Sequence, residues 1–306
     1  MSDDYKLLKL LCSISAPSSD ESRMAKFIVQ YVENFSYTWR HKPQIVYGEG
    51  YQDCVMLVWG KPRTAIFAHM DSVGYMVGYN KTLVPIGSPR CDDGTELVGL
   101  QDEEEITCIL REHDETLTYE SDKDLERGTL LTYKPNFIEN EDFIESPFLD
   151  NRVGVYVALN LAKSMKDGAI VFTTGEETRA GNAKFCWRYL YKNYHLHNAL
   201  IADITWVTEG IDYAKGCVVS LKDSYVPRRA YVNKILNIAK RSEIAIQREV
   251  ETAGGSDGGN LQQIPYAIDW CFVGAPQEFP HTPKEKINKS DIDSMYLLYK
   301  ELMEYL

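Results

Sequence analysis

Ala169-Ile170-Val171-Phe172-Thr173-Thr174-Gly175-Glu176-Glu177, near the middle of the chain, is the stretch from which the fold is read. The short apolar run Ala169–Phe172 reads as a buried strand. At a strand end, neighbouring side chains point in different directions. One carboxylate of the adjacent pair can therefore hold a metal ion while the other reaches past it to a water held there. A Glu-Glu pair alone is ordinarily a solvated acidic turn. The reading changes because the rest of the chain supplies further ligand-type side chains at matching places.

Working outward, Cys54–Trp59 reads as a strand, Gly60-Lys61-Pro62-Arg63 as a turn, and Thr64–Ala68 as a second strand that runs into His69-Met70-Asp71. Ala199–Ala202 is a strand ending at Asp203, and Ala267–Val273 is a late apolar strand with His281 in the loop beyond it. Asp150 precedes a helix with Val153, Val157 and Leu161 on one face. Further helices are expected over residues 5–13, through Met24, Phe27, Ile28, Tyr31 and Val32 behind capping residues Ser19 and Asp20, and over 181–192 and 229–241. The closing helix begins at Ser290, with Asp293 in capping-box position. Strands alternating with helices imply a layered α/β/α fold with a mainly parallel central sheet. From Tyr75 to Glu145 the helical period fades, and short β-rich pieces alternate with acidic stretches such as Asp102-Glu103-Glu104-Glu105. This predicts a small β-rich domain, residues 75–145, inserted in a catalytic α/β domain made of residues 1–74 and 146–306.

The composition is that of a globular protein, 306 residues with 44% hydrophobic and 25% charged side chains. A net charge of −12 argues against nucleic acid and anionic membrane as partners, since both are met by clustered Lys and Arg. No apolar run reaches the ~18 residues of a spanning helix, and Met1-Ser2-Asp3-Asp4 lacks the basic start of a signal segment. Seven scattered cysteines without a Cys-x-x-Cys spacing read as reduced core thiols, which implies a cytoplasmic protein.

In open α/β sheets ligands sit outside the carboxyl ends of the strands. His69, Glu176, Glu177 and Asp203 all follow predicted strands, and Asp150 and His281 join them. Imidazole and carboxylate ligands suit zinc or cobalt, and three protein ligands per metal with an open position would make the site catalytic. Asp71 could accept the second ring N–H of His69 and fix its tautomer. Each residue alone has a bland reading, as a helix cap, a turn residue or a loop histidine. Their joint order along the chain is what the bland readings do not explain. The run Gly254–Gly259 lacks the Lys-Ser/Thr ending of a phosphate loop and reads as a tight turn near the substrate site, lined by Ser256 and Asp257.

Six separated motifs give the chain a resemblance to a known family. Ala68-His69-Met70-Asp71-Ser72-Val73-Gly74, Leu149-Asp150-Asn151-Arg152, Thr174-Gly175-Glu176-Glu177, Asp203, Gly255-Ser256-Asp257-Gly258 and Phe279-Pro280-His281-Thr282 fall in the order found in the co-catalytic dinuclear metallo-aminopeptidases of zinc peptidase clan MH. The chain resembles the tetrahedral-aminopeptidase type, which includes glutamyl and deblocking aminopeptidases. The resemblance implies two divalent metal ions, zinc first, with cobalt or manganese as alternatives. His69 and Asp203 would hold one ion, Glu177 and His281 the other, and Asp150 would bridge them. Glu176 would be the general base, and Asp71, through His69, is the second residue assigned to catalysis. The resemblance also implies a cis bond between Asp150 and Asn151, peptide substrates, a lid and dimerisation role for the insertion, and a homo-oligomer built from dimers. A related deacylase or dipeptidase, and an inactive metal-binding structural protein, are the competing functions. The family carries a glycine two residues past its Glu-Glu pair, and this chain has Arg179 there, which bears on the substrate pocket.

Overall fold

Segments that are apolar from end to end form the centre of the structure, a computed structural model that describes residues 5–178 and 181–306. In chain order the strands are β1 (Gln44–Val46), β2 (Val55–Trp59), β3 (Thr64–His69), β4 (Gly74–Val77), β5 (Leu83–Ile86), β6 (Glu96–Gln101), β7 (Glu104–His113), β8 (Thr116–Glu120) and β9 (Leu130–Tyr133). There follow β10 (Ile138–Glu139), β11 (Phe143–Glu145), β12 (Gly168–Thr173), β13 (Asn198–Trp206), β14 (Cys217–Lys222), β15 (Ile246–Val250), β16 (Asp269–Glu278) and β17 (Lys286–Asn288). The helices are α1 (Lys6–Cys12), α2 (Ser22–Phe35), α3 (Leu149–Ala162), α4 (Ala183–Tyr194), α5 (Arg229–Arg241), α6 (Asp257–Gln262) and α7 (Lys289–Tyr305).

The large sheet runs β1-β2-β12-β3-β13-β16-β17-β11-β10, with β14 and β15 attached through β16. Its centre, β12-β3-β13-β16, is parallel, and β3 and β12 are buried along their whole length. Parallel strands need both faces covered, and so they are apolar without alternation. Side chains of one parity, among them Ile66, Phe172 and Leu200, enter a core shared with α1, α2, α3, α5 and α7. Those of the other parity, among them Phe67, Val171 and Ile201, pack against Trp187 of α4 and Leu261 of α6. The fold is layered α/β/α, as expected. The parallel character lies in the centre of the sheet and both flanks join it antiparallel, β15 alone lying parallel to its flanking partner β14.

Residues 74–133 build a second sheet, β5-β4-β9-β6-β7-β8, antiparallel throughout. Its outer strands are brought together by a bridge between Thr82 and Thr118. That contact curls the sheet on itself and protects its edges. Leu97, Leu110, Leu131 and Tyr133 form its interior, and Phe148 packs onto that core from the start of α3. The short strands β10 and β11 pair with the large sheet through β17.

Local capping differs from the sequence expectation in two helices. Helix α2 has Glu21 at its N-cap position with no side-chain cap bond, because the Glu21 carboxylate is used elsewhere. Its Oε1 accepts from the N–H groups of Ser19 and Gly175. Helix α7 is capped by Asn288, whose Oδ1 accepts from Ser290 N at 2.8 Å. Among the described residues no helix is long and apolar enough to cross a membrane.

Candidate metal centre

The residues singled out along the sequence converge where the central strands end. Thr173 pairs with His69 across β12 and β3. Strand β13 is longer than its neighbour β3, whose pairing with it stops at Ile201 and Phe67. Asp203 therefore lies inside a strand rather than at its end, on a stretch that continues past β3 and keeps its partners only on β16. Two residues beyond the last pair, it stands level with His69. His69, Asp150, Asp203 and His281 are all buried.

The polar atoms form two sets that share one carboxylate. Asp150 Oδ1 lies 3.1 Å from His69 Nε2, which is also 3.4 Å from Asp203 Oδ1. Asp150 Oδ2 lies 3.3 Å from His281 Nε2, which is also 3.4 Å from Glu177 Oε2. Two ligands of a tetrahedral zinc ion, each at about 2.0–2.1 Å, stand about 3.3 Å apart. The spacing within each set is thus that of ligands around a common ion. His69, Asp150 and Glu177 offer ligand atoms within 4.8 Å of one another. Glu177 Oε1 is buried without a hydrogen-bond partner among the described residues. The donor set of imidazole nitrogen and carboxylate oxygen fits zinc-like ions.

The backbone around Asp150 is held from several sides. The Asp150–Asn151 bond is cis. Asn151 caps the regular part of α3, accepting from Gly154 N at 2.9 Å, and its amide donates to the Ala202 carbonyl at 2.8 Å. Gly154 allows this approach, because a Cβ there would fall 2.2 Å from the Ala202 carbonyl oxygen. The buried Arg152 guanidinium donates to the Met70 carbonyl at 2.5 Å and so ties α3 to the loop carrying His69 and Asp71.

Two buried carboxylates act as backbone clamps. Asp71 accepts from Glu176 N at 3.2 Å, Glu177 N at 3.1 Å and Ser18 Oγ at 2.7 Å. It approaches His69 Nδ1 only to 3.5 Å, and that nitrogen has no hydrogen-bond partner among the described residues. Asp71 thus faces the His69 ring and in addition grips the Glu-Glu turn, where Gly175 at φ +74° lets the chain reverse. Glu285, which the sequence reading missed, accepts from Asp150 N at 3.0 Å and His281 N at 2.8 Å. Nothing in its local sequence distinguishes it, since its partners are backbone groups distant along the chain.

Burial and crowding of like charge govern ionisation here. Desolvation, with Asp203, Asp257 and Asp71 nearby, pushes Glu176 well above the usual carboxylate range, although His69 acts the other way. Glu177 is raised in the same way, by burial and then by Asp150. Asp203 is pushed up to about 6, chiefly by burial. Burial also opposes ionisation of Asp150, but the two histidines outweigh it and hold that group below its ordinary value. Such a cluster of acids calls for positive charge in its midst.

A cavity of about 320 Å³ opens over these residues, and Glu176 and Glu177 line it. Asp223, Glu249, Glu251 and Ser256 also line it. Ser256 also caps α6, accepting from Gly258 N at 3.1 Å. Asp257 turns away from the cavity into the core, where Thr173 Oγ1 donates to it. Arg179 lies outside the described residues.

The chain matches the family model described as M42 glutamyl aminopeptidase over residues 116–298. It is 28% identical over 186 residues to a curated Acetivibrio thermocellus protein that carries an aminopeptidase name, an alignment covering 57% of this chain and 55% of that protein. The alignment thus spans little more than half of the curated relative. Among solved structures, a TET aminopeptidase from a marine sediment archaeon of the Thaumarchaeota superposes with a TM-score of 0.87 at 17% identity, covering 98% of this chain and 96% of that one. An aminopeptidase from the archaeon Desulfurococcus kamchatkensis gives 0.84 at 18%, covering 98% and 94%. The Pyrococcus horikoshii TET1 peptidase, whose chains assemble into a tetrahedron or a large octahedral shell, gives 0.83 at 19%, covering 98% and 99%. At these identities the likeness to solved structures establishes the fold.

Proposed function

The chain belongs to the M42 glutamyl aminopeptidase family, and on that premise we propose that it is a two-metal aminopeptidase removing N-terminal residues from peptides. The observation that carries this reading is Asp150, whose two oxygens each face a separate histidine–carboxylate pair at ligand spacing. His69 and Asp203 would hold one ion, zinc first with cobalt or manganese as alternatives, and His281 and Glu177 the other, with Asp150 between them. When bound, the two ions would lower the pKa of a water towards neutrality and polarise the scissile carbonyl.

Glu176 lines the same cavity and lies outside both ligand sets. We assign it the general base, taking the proton of the attacking water and returning it to the departing amine. A base must be held where the proton is, and Asp71 does this through the N–H groups of residues 176 and 177. Three ligand carboxylates, Asp150, Glu177 and Asp203, nearly balance two dications, which leaves the metals electrophilic.

The further acids that line the cavity favour a substrate with a free amine over an N-acylated one. Asp223, Glu249 and Glu251 offer acceptors to an ammonium group, and no Lys or Arg is among the described lining residues. An N-acyl amino acid brings a carboxylate and no ammonium, and like charge disfavours it. Residues 75–145 would serve as lid and dimerisation domain, and the chain would form a homo-oligomer built from dimers. Seven free cysteines, six of them buried, support a cytoplasmic setting. Assays on amino-acid p-nitroanilides beside N-acyl amino acids, with zinc, cobalt or manganese added, test the reaction. Turnover confined to N-acyl amino acids would overturn the aminopeptidase reading in favour of a deacylase.

A further inference from the structure

His281 has its backbone in the left-handed region, at φ +61°. For any residue but glycine this conformation carries a cost, smaller for His than for a β-branched residue, and it persists where the surroundings hold it. Glu285 holds its N–H. The hydrogen bonds to its carbonyl and to its Nδ1 come from the second sheet and its loops. Tyr133 Oη donates to the His281 carbonyl at 2.8 Å, and Arg90 N donates to the same oxygen at 2.9 Å. The imidazole Nδ1 lies 2.8 Å from Ser88 Oγ and 3.2 Å from the Ser88 carbonyl oxygen. A carbonyl only accepts, so the proton sits on Nδ1 and the lone pair of Nε2 faces Asp150 and Glu177.

Tyr133 also reaches the other half of that ligand set. It is 1% exposed and stacks on Phe148, ring centroids 6.1 Å apart and planes 15° apart, two residues before Asp150. Arg90 lies over the Trp206 ring at 4.9 Å, and that ring meets the His281 imidazole edge-on at 5.8 Å. Among the described residues the His69 side has no comparable hydrogen-bond support from this sheet. Its neighbours Asp71, Arg152 and Ser18 all lie outside residues 74–133.

We infer that the second sheet is part of the scaffold of the His281 ligand set, with Tyr133 and Ser88 as positioning residues for His281. This rests on the two-metal reading above. Tyr133 fixes the carbonyl of a strained residue, and Ser88 fixes the ring tautomer and direction. Ligand-orienting partners of this kind are worth about 10–100-fold in metal affinity. Their loss acts on one ion and spares the other.

The test titrates zinc into the metal-free full chain by calorimetry, for the parent, Tyr133→Phe, Ser88→Ala and His281→Ala, and for Tyr133→Phe combined with His281→Ala. Thermal unfolding of each metal-free protein is followed alongside. The parent is expected to show two binding steps. Tyr133→Phe and Ser88→Ala weaken one step by about 10–100-fold and leave the other within about twofold. In the His281→Ala background, Tyr133→Phe has no effect on the step that remains. Turnover falls with the weakened step while KM changes little. Equal weakening of both steps, an effect of Tyr133→Phe that persists without His281, or two unaltered steps in both variants overturns the inference and leaves the two-metal reading standing. A parent that takes up fewer than two equivalents overturns that reading and this inference with it. If Tyr133→Phe does not fold, Ser88→Ala carries the same comparison.

Discussion

Replacing Asp71 by Asn changes one atom and tests how the catalytic turn is built. Asp71 is buried at 0% exposure, and its two oxygens serve different donors. Oδ1 accepts from Glu176 N, while Oδ2 accepts from Glu177 N and Ser18 Oγ. Asn has one oxygen, so whichever way the amide lies, its NH₂ group faces one of the two backbone N–H groups. The Ser18 hydroxyl can rotate to accept, but a backbone N–H cannot. Leaving one buried donor unsatisfied costs about 1–3 kcal/mol, and trading a charged acceptor for a neutral one at the other costs about 1 kcal/mol. The expected loss is about 2–4 kcal/mol in urea unfolding of the metal-free chain. Because the same bonds aim Glu176 and Glu177, kcat is expected to fall along with stability. An Asn variant within about 0.5 kcal/mol of the parent and equally active would refute the clamp, since surface changes fall in that range.

Glu176→Gln is expected to keep the fold and both metal positions while lowering kcat by about 10²–10⁴-fold, the usual worth of a general base; metal content and kcat measured on one preparation check this. Glu21 is pushed up to about 7, by burial first and then by the charge of Asp71. A raised folded-state value means that its contribution is intact below the unfolded value and is lost as pH rises through the window from about 4.5 to about 7. The Oε1 atom that accepts from Ser19 and Gly175 survives in Glu21→Gln. That variant should be more stable than the parent by on the order of 2–3 kcal/mol at pH 8, and the gain should vanish by pH 4, as read by urea midpoints. Chelation should abolish activity. It should also make stability fall as pH rises above the ordinary carboxylate range, because buried Glu176 and Glu177 resist ionisation without counter-charge; thermal unfolding with and without zinc measures this.

How much of this was legible depended on whether a residue acts through its own chemistry or through another's backbone. The apolar runs of β3, β12 and β13 announced a buried sheet, and side chains of ligand type beyond them announced the site. Asp203 was placed at a strand end because the apolar run stops there, yet β13 continues through Ile204 to Trp206 by pairing with β16. Tertiary hydrogen bonding extended a strand that composition had ended. Glu21 and Asn288 show the same limit in the helices. The first is drawn off to Gly175, and the second caps α7 in place of the expected box. Glu285 and Tyr133 left no signal at all, because each recognises main-chain groups that any residue would present. Asp71 was legible only in part for the same reason: sequence proximity pointed to the His69 ring, which it faces at 3.5 Å, while the two N–H groups it accepts from belong to a distant turn.

The central claim is tested most directly by counting metal against turnover. Zinc or cobalt is titrated into the metal-free chain while hydrolysis of an amino-acid p-nitroanilide is followed, and the bound ion is measured in the same samples. The account expects activity to reach its maximum only at two equivalents per chain, with Glu176→Gln binding both ions and turning over at least a hundredfold more slowly, on the order expected for loss of a general base. Full activity at one equivalent or fewer, or a Glu176→Gln chain as active as the parent, would contradict it.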